Sequence, residues 1–136
     1  MIREIVKDEV FLSQKSSPAS KKDKKIIEDL KDTYEEWAYM CAGMAANMIG
    51  EKKNIILVNV GVAIEIMINP VILDKKEPYE AEESCLCLKS PHKTIRFNTI
   101  TVRWRDEDFQ QHIETFSGLT AQIIQHEIDH TKGIVI

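Results

Sequence analysis

Six residues near the end of the chain, Gln125-His126-Glu127-Ile128-Asp129-His130, limit its fold more than any other stretch. They contain His-Glu-x-x-His. On a helix, positions i and i+4 share a face, so the imidazoles of His126 and His130 can reach one metal ion. Glu127 then sits beside the first ligand, placed to handle a proton from water on that ion. Two histidines leave a tetrahedral site incomplete. A distant segment must deliver a third ligand, and one position must stay open to solvent. The flanks predict a helix: Ser117 can serve as N-cap, Leu119, Ile123 and Ile124 follow at helical spacing, and Gly133 stands where a C-cap glycine would.

The segment Glu82-Glu83-Ser84-Cys85-Leu86-Cys87-Leu88 offers the missing ligand. A thiolate from Cys85 or Cys87 would complete a Cys-His-His set with an open fourth position. The same pattern also fits cysteines that serve only as small buried hydrophobes. The chain has three cysteines, the other being Cys41. An odd number without disulfide-like spacing suggests a reducing cytosol.

The remaining pattern predicts a single α+β domain over residues 1–136. Residues 1 to 20 read as an extended arm and loop, with Pro18 discouraging helix just before it, and Ser20 with Asp23 resembles a capping box. From there Ile26, Ile27, Leu30, Tyr34, Trp37 and Cys41 recur at helical intervals, an amphipathic helix of about five turns. The cluster Cys41 to Gly50 is rich in small residues and reads as a tight turn. Strand-like runs follow at Ile55–Val60 and Ala63–Ile68, with Asn69-Pro70 as punctuation and Val71–Leu73 beyond it. Ile100–Arg105 and Gln110–Phe116 alternate across a turn at Asp106-Glu107-Asp108. No helix interleaves these strands, so antiparallel sheets are expected around the C-terminal helix. A net charge of −4 argues against electrostatic binding to nucleic acid or an anionic membrane. No apolar run is long enough to span a bilayer, and the first residues show no signal-peptide pattern, so a cytoplasmic location is expected.

Three segments, in order, resemble the peptide deformylase family. Its G-x-G-x-A-A-x-Q reads here Cys41-Ala42-Gly43-Met44-Ala45-Ala46-Asn47-Met48. Its E-G-C-L-S reads Glu83-Ser84-Cys85-Leu86-Cys87, and its Q-H-E-x-D-H-L-x-G reads Gln125 to Gly133. Ile68-Asn69-Pro70 resembles a further family segment. The resemblance implies Cys85, His126 and His130 as metal ligands and Glu127 as general acid/base. It implies the Leu86 backbone N–H as a donor to the developing oxyanion, with Glu83 pairing to a downstream arginine, for which Arg96 is the candidate. Asp129 would anchor the helix in the same way. Gly43 and Ile123 are expected at the substrate, and Leu119, Gln122 and Ile123 along the methionine pocket. The implied activity is metal-dependent removal of the formyl group from N-formylmethionyl peptides. Ferrous iron is the expected metal, with zinc or nickel as substitutes, and a monomer is expected.

The chain departs from the family pattern at informative places. Met48 replaces the motif-one glutamine whose amide donates to the oxyanion, and a thioether has no donor. Cys41 replaces the first motif glycine, Ser84 the glycine before the ligand cysteine, and Cys87 the serine after Leu86. Asn47, one residue from Met48, is not expected to substitute. The alternative to a working hydrolase is therefore a weakly active or inactive metal- and peptide-binding module on the same scaffold. A His-Glu-x-x-His peptidase fits less well, because such enzymes take His or Glu as third ligand.

Overall fold

The computed structural model describes residues 1–86 and 91–135. Five antiparallel strands form one sheet in chain order: β1 (Gly43–Ala45), β2 (Ile55–Asn59), β3 (Ile64–Glu83), β4 (His92–Arg105) and β5 (Gln111–Ser117). Three helices accompany it: α1 (Glu9–Leu12), α2 (Lys24–Trp37) and α3 (Gly118–Thr131). The expected α+β class, with its amphipathic N-terminal helix and its C-terminal His-Glu-x-x-His helix, is what the chain forms.

The local starts and stops follow their side chains. Ser20 and Asp23 make a reciprocal capping box on the short 3-10 turn that leads into α2. The helix ends at Trp37, a turn earlier than the apolar spacing predicts. Cys41 keeps its place in that spacing because the chain folds back: the Cys41 N–H donates to the Trp37 carbonyl at 3.1 Å. The Tyr34 hydroxyl then donates to the Cys41 carbonyl at 3.1 Å. The first twenty residues contain one short helix, α1, where an extended arm was expected. Asp8 caps it by accepting from the Val10 N–H at 2.9 Å.

The strands differ most from expectation in length. Ala63–Ile68 and Val71–Leu73 are parts of one strand, β3, which continues to Glu83. Asn69 takes a positive φ of 53° at a register shift between Ile68 and Val71. Its side-chain amide holds Ala19 from both sides, accepting from the N–H at 2.8 Å and donating to the carbonyl at 3.0 Å. Beyond the bend β2 no longer pairs with β3; β5 still flanks β4 as far as Thr99, and past that point β3 and β4 run on as a two-stranded ribbon. One edge of β3 is open there, which is why Pro78 is tolerated in mid-strand. Neither face of that ribbon is fully covered, so burial imposes no clean alternation on Asp74 to Glu80, and the strand pattern is lost from the sequence.

The core lies where α3 crosses β1, β2 and β4. Ala121, Ile124 and Ile128 of α3 are buried against Ile55, Ile56, Leu57 and Val58 of β2 and against Ile100 and Val102 of β4. Full burial of each large aliphatic side chain contributes about 1.5–3 kcal/mol. Ser117 stands at the N-cap position of α3 but makes no side-chain cap. The other end closes as expected: Gly133, at φ 75°, donates to the His130 carbonyl and Ile134 to that of Asp129. Ser13 packs where a Cβ on Gly133 would sit, its carbonyl oxygen 2.5 Å from that position.

Candidate active site

The face of α3 opposite its core residues carries Gln122, His126 and Asp129, and it turns toward the start of the β3–β4 ribbon. In β3, alternate residues share a face, so Tyr79, Ala81 and Glu83 all point at α3. Cys85 follows two residues after that strand. These placements bring three ligand atoms together. The Cys85 sulfur lies 3.3 Å from His130 Nε2, which lies 3.3 Å from His126 Nε2. All three atoms fall within 4.8 Å of one another. Cys87, the other thiolate considered, lies outside the described residues.

Glu83 and Arg96 form the predicted pair. Arg96 Nε donates to Glu83 Oε2 at 2.9 Å and Nη2 to Oε1 at 2.7 Å. Arg96 Nη1 reaches Asp129 Oδ2 at 2.6 Å, so the guanidinium joins the two ribbon strands to each other and to α3. Glu83 Oε1 also lies 2.8 Å from His126 Nδ1. Burial works against a charge on Glu83, but hydrogen bonds from His126 and Arg96 outweigh it and hold its pKa at about 2. An ionised carboxylate only accepts, so His126 Nδ1 carries the proton and Nε2 keeps its lone pair for a metal. Burial opposes a charge on His126 as well; hydrogen bonds to Cys85 and Glu83 prevail and raise its proton affinity.

Glu127 has the opposite environment. It is buried, and its Oε1 has no hydrogen-bond partner among the described residues. Burial pushes its pKa up to about 7, against the pull of His126 and His130. Its other oxygen faces β1. A Cβ added to Gly43 would lie 2.9 Å from Glu127 Oε2, 3.0 Å from Ile123 Cγ2 and 3.0 Å from the Leu57 carbonyl oxygen. Only glycine lets strand and carboxyl approach this closely.

These groups open onto a cavity of about 1100 Å³. Its lining includes Gly43, Met48, Cys85, Leu86, Ile123, His126 and Glu127, with Leu119 and Gln122. The N-terminal arm and the end of α2 form its outer wall through Ile5, Trp37 and Met40. The expected catalytic and substrate residues, with Cys85, His126 and Glu83, border one space; His130, Arg96 and Asp129 are not in its lining. Met48 is buried, and its sulfur accepts from the Ala45 N–H at 3.4 Å. Asn47 does not replace the missing amide, because its Nδ2 donates to the His130 carbonyl at 2.9 Å. Cys41 borders the cavity, and burial pushes its thiol up to about 11, which keeps it protonated at neutral pH.

Sequence reasoning gave no role to Gln125 and none to Tyr79. Gln125 pairs with the backbone of Phe97 like a strand neighbour, accepting its N–H at 2.9 Å and donating to its carbonyl at 2.8 Å. A glutamine on the buried side of a helix, one residue before the first ligand, was the signal available. Tyr79 gave none, since its strand was not legible.

The donor set suits a divalent transition ion: two imidazole nitrogens and a thiolate converge, and an unpartnered carboxylate oxygen is buried beside them. Comparison with known proteins points the same way. A family model described as polypeptide deformylase matches residues 2–136. A peptide deformylase of Clostridium beijerinckii is 54% identical over 136 residues, covering all of both chains. Among solved structures, peptide deformylase from Thermotoga maritima is 28% identical with a TM-score of 0.87, covering 99% of this chain and 94% of its own. The actinonin-bound class I type b peptide deformylase of Acinetobacter baumannii is 25% identical with a TM-score of 0.89, covering 99% and 95%.

Proposed function

The chain belongs to the peptide deformylase family, and from that premise we propose that Cys85, His126 and His130 hold its metal while Glu127 carries its proton transfers. The enzyme is a metal-dependent hydrolase that removes the N-formyl group from the N-terminal methionine of nascent peptides and releases formate. The observation that carries the residue assignment is the convergence of one sulfur and two imidazole nitrogens beside Glu127, whose Oε1 has no hydrogen-bond partner among the described residues. Ferrous iron is the proposed metal, with zinc or nickel able to take its place. We place the enzyme in the cytoplasm as a monomer that binds neither nucleic acid nor membrane, in keeping with its net charge of −4.

When bound, a divalent ion supplies Lewis acidity, lowering the pKa of water to about 7 and polarising a carbonyl oxygen. The chain's own residues do the rest. Glu83 keeps the His126 proton on Nδ1 and so keeps Nε2 available. Glu127 takes a proton from water as that oxygen bonds to the formyl carbon, then delivers it to the amine nitrogen as the C–N bond breaks. A pKa of about 7 suits a group that must both accept and return a proton near neutrality. The Leu86 N–H donates to the oxyanion. Ile123 and Leu119 offer apolar surface to the methionine side chain, and Gly43 borders the peptide's path in the cavity while letting Glu127 close on β1. A Met-Ala-Ser complex of the Acinetobacter baumannii relative shows that a peptide of this kind occupies that enzyme.

The test is formate release from a formyl-Met peptide by anaerobically prepared, iron-loaded protein. Glu127→Ala is expected to lower kcat by about 10²–10⁴. Equal rates for variant and wild type would leave only a metal- and peptide-binding module.

A further inference from the structure

We propose that Tyr79 and Gln122 form a strut that positions His126 through Glu83, and that both are positioning residues for metal capture and hydrolysis. The inference rests on the reading of the site above and adds two residues that lie outside its metal-binding motifs.

Glu83 receives four donors. Arg96 Nη2 and His126 Nδ1 reach Oε1 at 2.7 and 2.8 Å; Arg96 Nε and Gln122 Nε2 reach Oε2 at 2.9 and 3.0 Å. A carboxylate offers about four lone-pair positions, so Gln122 completes the set. The Arg96 fork fixes the plane of the carboxylate, and its third arm holds the pair to α3 at Asp129, beyond His126; Gln122 supplies the hold one turn before His126. Gln122 and His126 lie one turn apart on α3 and take different oxygens of Glu83. The helix thus grips the carboxylate at both ends, and Oε1 is aimed at the imidazole.

The grip needs Gln122 to present its NH₂ and not its carbonyl oxygen, which would face Glu83 with repulsion. Glu83 itself sets that orientation, because an ionised carboxylate only accepts; the Tyr79 hydroxyl donates to Gln122 Oε1 at 3.2 Å and holds the amide at its other end. Tyr79 precedes Glu83 by four residues on the same face of β3, so one strand holds both ends of the strut. Gln122 is half-buried in the wall of a cavity otherwise suited to an apolar side chain. An amide there is costly unless both its ends are bonded, and both are.

Zinc-loaded wild type, Gln122→Met, Tyr79→Phe and the double variant are compared by zinc release to a chelator and by formate kinetics. The His126 Nδ1–H group is followed by 1H–15N NMR in the zinc-loaded proteins. Gln122→Met is expected to speed zinc release about tenfold, the low end for a partner of a metal-ligating histidine. It should lower kcat, and it should weaken the protection of the His126 Nδ1–H proton from exchange. Tyr79→Phe should move the same readouts by less, and the double variant should match Gln122→Met alone. Unchanged zinc release with a wild-type imidazole signal in Gln122→Met would overturn the strut, and so would additive effects in the double variant. If Gln122→Met does not fold, Tyr79→Phe decides, because it removes one hydroxyl from a half-exposed ring: wild-type release and signal would refute the proposal. A wild type that neither holds zinc nor releases formate would overturn the functional reading and the strut with it. Variants that merely match an active wild type would overturn the strut alone.

Discussion

The ribbon side of the cavity and the β1 side treat a buried carboxyl in opposite ways. On the ribbon side Glu83 is surrounded by donors and sits at about 2. On the β1 side Glu127 is pressed against Gly43 and Ile123, has one oxygen without a partner among the described residues, and sits at about 7. Two carboxyl groups at one cavity are thus driven apart by their surroundings, and each is suited to one task. The saturated one stays charged and holds an imidazole in place. The unsatisfied one titrates where proton transfer is needed. Rigidity comes from the side that spends its hydrogen bonds, and reactivity from the side that withholds them.

The sharpest way to break this contrast is to unbalance the saturated side. Arg96→Met removes both arms of the fork and the link to Asp129, leaving Glu83 buried with fewer donors. Losing one partner of a buried pair typically destabilises by about 3–5 kcal/mol. Urea unfolding of the metal-free protein should show a loss of that size. A change below about 1 kcal/mol would mean that the ribbon side is not held by these charges.

The β1 side can be sharpened by restoring a donor. Met48 borders the cavity where the family places an amide, and its sulfur only accepts. One oxyanion donor is worth about 10²–10³ in kcat. Met48→Gln is therefore expected to raise kcat on a formyl-Met peptide toward that range. A flat or lower rate would show that the Leu86 N–H and the metal already supply what this oxyanion needs.

Legibility in the sequence follows the same division. Motif spacing alone placed His126, Glu127 and His130 on one helix, and the structure adds the Cys85 sulfur beside both imidazoles. Arg96 was expected as the partner of Glu83 through the family resemblance alone, and the structure makes that pair. α2, α3, β2 and the parts of β3 and β4 over the core were legible because burial on one face imposes a period, whereas α1 and β1 were not. Asp74 to Glu80 was not legible either, since the strand there runs beyond the core and almost every residue is exposed. Tyr79 was lost with it. The early end of α2 was hidden for another reason: Cys41 packs as though the helix continued, although the chain has already turned.

The smallest effect isolates Glu127 itself. In the metal-free fold its pKa stands near 7, against an ordinary value of 4.5. Below pH 4.5 both folded and unfolded chains hold the proton and no penalty arises. As pH rises from 4.5 to 7 the unfolded chain releases a proton that the folded chain still binds, so stability falls, and it levels off above 7. The size of the fall is about 2–3 kcal/mol, at about 1.4 kcal/mol per pKa unit. Gln at this position has no proton to release, so metal-free Glu127→Gln should match wild type near pH 4.5 and exceed it by about that amount at pH 8. Glu83 acts in the other window: its contribution is present above pH 4.5 and is lost as pH falls toward 2, equally in both proteins. Urea midpoints at pH 5 and pH 8 measure the difference. Parallel shifts for the two proteins would mean that Glu127 finds a partner in solution, and the contrast between the two sides of the cavity would then rest on Glu83 alone.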